Sequence, residues 1–188
     1  MRIAILGAGP AGLYLAYLIK RRVNELGAIA GFEKSGHFFF NKPFGRGYDD
    51  GMIFALAVCD MLDRNPGKTM ADLRKALPKT WGSPTMAPHC DDEKKYGVVD
   101  AVVKHFEQAL AKGEKVAGQR ILSAVTVNGV RVTVEDGTWG LVRASSNKPE
   151  LVVVVESPVS EQRMRDMFKA VDAVLRTHPE VGEYNQTI

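Results

Sequence analysis

The sequence predicts a mixed architecture: a truncated α/β domain, then an α+β domain in which an antiparallel sheet carries two helices on one face. Three observations predict it. Up to residue 80, short apolar runs with strand character alternate with helical stretches, the pattern of an α/β unit. Beyond residue 84, alternating strands broken by turn signals lie between two strongly periodic helical segments. Between the two regions stands Trp81-Gly82-Ser83-Pro84, following Pro78, a turn-rich linker. The expected domains are therefore 1–80, of which 1–22 form a distinct Gly-rich β–α unit, and 85–188.

The bulk properties narrow the function. An apolar content of 45% with 25% charged residues places the chain among ordinary globular proteins. A formal net charge of +3 over 188 residues argues against nucleic acid or a membrane surface as the main partner. Cys59 and Cys90 have neither metal-ligand spacing nor a disulfide framework. Ile3 to Ile19 is free of charge, but glycines and a proline interrupt it and no small-x-small cleavage site follows. At the short limit of the roughly 17–25 residues a span requires, it is not read as a membrane helix. A reducing cytoplasm is the expected compartment.

In chain order, Arg2 to Leu6 reads as a strand and Gly7-Ala8-Gly9-Pro10-Ala11-Gly12 as a G-x-G-x-x-G turn. A helix from Leu13 to about Asn24 follows, with Leu15, Leu18 and Ile19 on one face. The first glycine permits the tight turn, the second lets a pyrophosphate approach the backbone, and the third lets helix and strand pack closely. The helix N-terminus offers N–H groups to an anion. An acidic residue belongs about 20 positions further on, and Glu33 stands there. The segment resembles the N-terminal ADP-binding unit of FAD-dependent monooxygenases, which implies nucleotide contacts at Gly7, Gly9, Gly12 and Glu33. The same loop also fits a strand-to-helix turn that holds no ligand. No further dinucleotide-domain strands or second phosphate motif follow Gly36, so the ligand-free turn is the reading adopted, and neither FAD nor NAD is expected.

Ala28-Ile29-Ala30 reads as a short buried strand leading into Gly31-Phe32-Glu33-Lys34-Ser35-Gly36-His37. Strand ends in α/β sheets present ligand-contacting groups. Glu33 can accept from vicinal hydroxyls and Ser35 can donate or accept, which suits a sugar. An exposed Glu in a plain turn is the competing reading. Asp49-Asp50-Gly51 opens a helix running to Leu62, where acidic residues cap the N-terminus and suit its dipole. No third or fourth oxygen ligand stands nearby, so the pair is read as capping and not as a metal site. Asn65-Pro66-Gly67 ends that helix, and a second runs from a Thr69 cap to Leu77.

In the second domain Thr85 to His89 reads as a strand. Asp91-Asp92 opens a helix with Val99, Val102, Val103, Phe106 and Leu110 at helical spacing, and Gly113 stops it. His105 falls on its surface. Ala124 to Val134 alternates around Asn128-Gly129, a two-residue hairpin signal. Glu135-Asp136-Gly137 makes a second turn, Trp139 to Arg143 a third strand, and Leu151 to Val155 a buried one. The last helix, Glu161 to Leu175, places Met164, Met167, Phe168, Val171, Val174 and Leu175 on one core-facing stripe. The residues after Thr177 are expected to fray. Between the last two strands lies Arg143 to Pro149. Arg143 offers a planar fork to two phosphate oxygens, and Ser145, Ser146, Asn147 and the loop backbone add neutral donors. An ordinary polar loop with a surface Arg is the alternative.

Two of these stretches, in order, resemble the α-D-phosphohexomutases (phosphomannomutase/phosphoglucomutase). Gly31 to His37, with Phe38-Phe39-Phe40 and Asp49-Asp50-Gly51, is similar to the Gly-Glu-x-Ser-Gly-His region of the family's third domain, with Phe32 where many members have a second Gly. Trp139-Gly140-Leu141-Val142-Arg143-Ala144-Ser145-Ser146-Asn147-Lys148-Pro149 resembles the fourth-domain phosphate loop, usually Arg-x-Ser-Asn-Thr, with Ser146-Asn147 in place of Asn-Thr. The resemblance runs from about Ile19 to the C-terminus. It implies that Glu33 and Ser35 read sugar hydroxyls, that Arg143, Ser145, Ser146 and Asn147 hold phosphate, and that the partner is a small-molecule phosphohexose. Members of the family move a phosphoryl group through a phosphoserine in the first domain and Mg²⁺ in the second. This sequence has no Thr-x-Ser-His-Asn-Pro-like serine loop and no Asp-Gly-Asp-Gly-Asp-Arg-like metal loop. Recognition without turnover is therefore expected, with no catalytic residue, metal ligand or cofactor in the chain itself. A dinucleotide-binding module and a ligand-free fusion are the other readings.

Overall fold

The computed structural model describes the backbone of Ile3–Ile5, then Glu25, residues 27–32 and residues 37–188. The chain divides into two compact units, Met1–Leu77 and Pro78–Ile188.

In the first unit β1 (Ile3–Ile5) pairs in parallel with β2 (Ala30–Phe32), in the register Ile3 with Ala30 and Ile5 with Phe32. The other edge of β2 pairs antiparallel with β3 (Phe38–Phe40), joining Phe32 to Phe38 across the connection. The strand read at Ala28–Ala30 is thus shifted toward Phe32, and Ala28 is buried just ahead of it. Helix α1 (Gly51–Asp63) begins at Asp50, whose carboxylate accepts from the N–H groups of Met52 and Ile53. Those bonds satisfy donors that the first helical turn leaves unpaired. Helix α2 (Met70–Lys75) begins at Thr69 in a reciprocal capping box with Asp72. The Thr69 bonds hold the Asp72 carboxyl below its ordinary value.

The second unit is a six-stranded antiparallel sheet in the order β4 (Trp81–Gly82), β9 (Leu151–Ser157), β8 (Trp139–Ala144), β7 (Val130–Val134), β6 (Gln119–Val125) and β5 (Lys115–Val116). Helix α3 (Lys95–Lys112) packs on β6, β7 and β8, and α4 (Glu161–Leu175) on β8 and β9. The period-2 alternation of the strands puts Val132 and Val134, Val142 and Ala144, and Leu151, Val153 and Val155 inward. They meet Val98, Val102, Phe106 and Ala109 of α3 and Met164, Met167, Val171 and Leu175 of α4. This is the expected antiparallel sheet with helices on one face, and burial of each large side chain contributes about 1.5–3 kcal/mol. Gly140 is where α4 sits closest: a Cβ there would lie 2.8 Å from Val171 and 3.3 Å from Met167.

Several local expectations change. Trp81 and Gly82, read as linker, pair with Ser157 and Glu156 as the edge strand β4. The strand read at Thr85–His89 reduces to isolated bridges, Met86 with Val153 and His89 with Glu150, along the same edge of β9. Helix α3 starts at Lys95, after a turn in which Lys94 and Lys95 both donate to the Asp91 carbonyl, and not at Asp91-Asp92. The strand before Asn128-Gly129 starts at Gln119, and the pairing of Val125 with Arg131 makes the connection longer than two residues. A tighter hairpin lies upstream, where Ala117 (φ 49°) and Gly118 (φ 79°) join β5 to β6. The segment after Thr177 is fastened rather than frayed. Asn185 exchanges backbone and side-chain bonds with Ala87, Tyr184 Oη donates to Asp172 at 2.9 Å, and Val181 is buried. Burial and the Asp172 carboxylate push the Tyr184 hydroxyl far above its ordinary pKa.

Candidate functional site

The C-terminal candidate is built on β8. Its side chains alternate, so Gly140, Val142 and Ala144 face the helices while Trp139, Leu141 and Arg143 share the opposite face. On that face Arg131 of β7 lies over the Trp139 ring at 4.5 Å. Arg143 is half-buried opposite Val152, and burial pushes its guanidinium below the ordinary value. A guanidinium keeps its charge in any such setting. Nη1 donates to the Ala144 carbonyl at 3.0 Å, and among the described residues no carboxylate pairs with the fork. A charged, partly desolvated donor set without a counter-ion suits an anion.

The loop that follows is held from one side. Ser145 is buried at its base, and its N–H donates to the Glu150 carbonyl at 3.0 Å. The Lys148 carbonyl accepts from Glu150 N–H, and the Pro149 carbonyl from Cys90 N–H. A second donor reaches the Lys148 carbonyl: Lys95 Nζ, at 3.0 Å. Lys95 is 3% exposed, and its ammonium also donates to Asp92 Oδ1 at 2.5 Å. Ser146, Asn147 and Lys148 are exposed, and among the described residues their N–H groups donate to no protein acceptor. Two loop carbonyls, of Lys148 and Pro149, are thus bonded to residues outside the loop, while the N–H groups of Ser146, Asn147 and Lys148 are unused among the described residues. Ahead of it, Gly129 (φ 83°) closes on the strand end: a Cβ there would lie 2.1 Å from the Val142 carbonyl oxygen and 2.8 Å from Arg143 Cα. Only glycine fits both the dihedral and the approach.

The N-terminal candidates are placed in part. Glu33 and Ser35 fall between β2 and β3, outside the described residues, as do Gly7, Gly9 and Gly12. What is described is the exit of that connection. His37 Nδ1 bonds Asp49 Oδ2, and Asp49 Oδ1 accepts from Phe38 N–H at 3.1 Å. Asp49 therefore clamps the β2–β3 connection, while only Asp50 caps α1. One carboxylate of the pair thus holds His37 and the other a helix end. Phe38 stacks on Phe54 of α1 at 3.8 Å between ring centroids, which fixes β3 to the helix. In the same unit an open cleft of about 710 Å³ is lined by Lys42, Phe44, Arg46, Tyr48 and Asp50 among others.

Sequence reasoning missed Lys95, Asp49 as a clamp, and the second duty of Gly129. Lys95 left one readable signal: consecutive lysines at a helix start oppose the macrodipole and need a reason. Asp49 left none, because two adjacent aspartates before a glycine fit a helix cap equally well.

Comparison with known proteins follows the same division. Residues 17–81 match the family model of phosphoglucomutase/phosphomannomutase, alpha/beta/alpha domain III, and residues 89–174 match that of the C-terminal domain. The glycines of the first loop precede the matched region. A phosphomannomutase/phosphoglucomutase of Pseudomonas putida is 31% identical over 166 residues, covering 87% of this chain and 32% of that protein. A phosphoglucomutase of Neisseria gonorrhoeae is 29% identical over 81% of this chain and 31% of that protein. A crystal structure of a phosphoglucomutase/phosphomannomutase family protein from Burkholderia thailandensis superposes with a TM-score of 0.69 at 25% identity, covering 90% of this chain and 32% of that one. The chain spans about a third of the length of the curated relatives it matches.

Proposed function

We propose, from the premise that this chain belongs to the phosphoglucomutase/phosphomannomutase family, that it binds a phosphohexose through the loop after β8. Arg143 is the phosphate anchor, with Ser146, Asn147 and the loop N–H groups as further donors and Ser145 at the base. Glu33 and Ser35 are assigned to the sugar hydroxyls on their motif alone. The observation that carries the reading is the half-buried Arg143, unpaired with any carboxylate among the described residues, beside a loop whose exposed N–H groups are unused. Charge-assisted hydrogen bonds to phosphate are the strong class, so such a site gains most from a dianion.

The chain performs recognition and not phosphoryl transfer. Transfer needs a nucleophile and a Lewis acid or equivalent charge at the phosphoryl group. The sequence has no serine loop or aspartate-rich metal loop of the family type. Conversion of hexose 1-phosphate to 6-phosphate is proposed for the longer relatives' architecture, with this chain supplying its binding portion. No nucleotide cofactor, nucleic acid or membrane partner is part of the proposal. A cytoplasmic setting is proposed because it suits a phosphosugar ligand.

Calorimetric titration with glucose 1-phosphate and mannose 1-phosphate tests the reading. Both are expected to bind weakly. A charged hydrogen bond is worth about 1.5–3 kcal/mol, so Arg143→Ala is expected to weaken binding roughly ten- to a hundred-fold. Equal binding by Arg143→Ala would overturn the assignment. A coupled assay is expected to show no mutase turnover with Mg²⁺ and a hexose bisphosphate present.

A further inference from the structure

We propose that Lys95 is the positioning residue of the loop after β8: its buried ammonium holds the Lys148 carbonyl and thereby anchors the end of the loop whose unused N–H groups meet an anion. The inference deepens the phosphate reading and rests on it for the identity of the ligand. Three observations carry it. Lys95 is 3% exposed, where lysines are almost never found without a partner. Its Nζ donates to two oxygens, Asp92 Oδ1 at 2.5 Å and the Lys148 carbonyl at 3.0 Å, and lies 5.3 Å from the Tyr96 ring centroid. And it occupies the first position of α3, where a cation opposes the helix dipole. A buried ammonium at the wrong end of a helix is unfavourable twice over. Such local conflicts are expected where a site imposes them.

The bond also decides the loop's geometry. A carbonyl and the following N–H point in opposite directions across a planar peptide. Fixing the Lys148 carbonyl orients the peptide that joins Lys148 to Pro149, whose nitrogen has no proton, and so anchors the end of the loop; the N–H groups without a protein acceptor just before it are those of Ser146, Asn147 and Lys148. The Cys90 N–H on the Pro149 carbonyl, at 2.9 Å, pins the next peptide. Asp92 pairs with the ammonium without being buried itself, at 66% side-chain exposure. Lys95→Met therefore removes the strut without leaving a buried carboxylate.

The experiment has two arms on the full chain. In the first, amide spectra and hydrogen exchange of the ligand-free protein are compared for wild type, Lys95→Met and Lys95→Arg. Shifts and faster exchange confined to residues 145–150 are expected in Lys95→Met, with partial return in Lys95→Arg; unchanged loop amides would overturn the positioning role. In the second, inorganic phosphate and glucose 1-phosphate are titrated into each protein. Binding by Lys95→Met is expected to be about ten-fold weaker, the scale of one lost well-placed interaction. Wild-type affinity in Lys95→Met with a perturbed loop would also overturn it. If wild type itself does not respond at the loop, the phosphate reading fails while the first arm still decides what Lys95 does. Should Lys95→Met not fold, Asp92→Asn, which keeps the ammonium but weakens its tether, is measured in the same way, and an unperturbed loop there counts against the role.

Discussion

The loop after β8 and the exit of the β2–β3 connection, each within its own unit, are held by different physics. The loop after β8 is tied to the second unit from within: Lys95 and Ser145 are buried, Cys90 is fully buried, and its N–H holds the Pro149 carbonyl. The exit of the β2–β3 connection is tied at the surface, by His37 and Asp49 with side chains 54% and 39% exposed. In the first case the bonds are shielded and backed by a core that must open before they break. In the second they compete with water and are screened by salt. The contrast continues into the helices. Phe106 of α3 is 1% exposed, whereas Leu56 of α1 is 61% exposed.

The largest test of the contrast is in the core. Phe106→Ala is expected to lower the stability of the second unit by about 3–5 kcal/mol in chemical denaturation, whereas Leu56→Ala changes stability by no more than about 0.5 kcal/mol. Comparable losses would erase the distinction. Next comes Gly129. Its left-handed dihedral and its closeness to the Val142 carbonyl predict about 1–3 kcal/mol of destabilisation for Gly129→Ala, together with shifted amides at Val142 and Arg143. Destabilisation without those shifts would separate the glycine from the site.

The Asp136–Arg163 pair sharpens the comparison through pH. Burial acts to raise the Asp136 carboxyl, but hydrogen bonds from Arg163 and Thr138 and the guanidinium charge outweigh it and hold the carboxyl below its ordinary value. A depressed carboxyl contributes stability that is fully present above its unfolded pKa, about 3.9, and is lost as pH falls through the lower folded value. Arg163 Nε lies 2.7 Å from Asp136 and Nη1 donates to Ala117, so the pair joins the β7–β8 turn to the strained Ala117-Gly118 hairpin. Denaturation between pH 2 and 7 is expected to show a smaller acid-side loss in Asp136→Asn than in wild type. A small effect is expected at the surface clamp. Asp49→Asn should cost less than about 1 kcal/mol, yet shift the amides of His37 and Phe38.

How much was legible in the sequence follows the same line. Period and turn chemistry placed α4 from Glu161 to Leu175, the Thr69 cap and the inward faces of β8 and β9, because these are local consequences of spacing. Arg143 at a strand end beside Ser145, Ser146 and Asn147 was legible as a donor cluster. Trp81-Gly82 was not legible as a strand, since its pairing with β9 spans a long stretch of chain and two turn-forming neighbours hide it. The C-terminal tail was misread as loose for the same reason: polar residues such as Asn185 and Gln186 look unattached until Ala87 and Thr85 come beside them. Lys95 shows the limit most plainly, since its partner is the carbonyl of Lys148, which no side-chain pattern reveals.

The central claim is that the loop after β8 binds the phosphate of a phosphohexose through Arg143. The most direct measurement follows the Arg143 Nε–H and the amides of Ser146, Asn147 and Lys148 by NMR while glucose 1-phosphate is titrated, with unphosphorylated glucose as control. The account predicts saturable shifts of these resonances with glucose 1-phosphate, abolished in Arg143→Ala, and none with glucose. Shifts that appear elsewhere while Arg143 and the loop stay silent would contradict it.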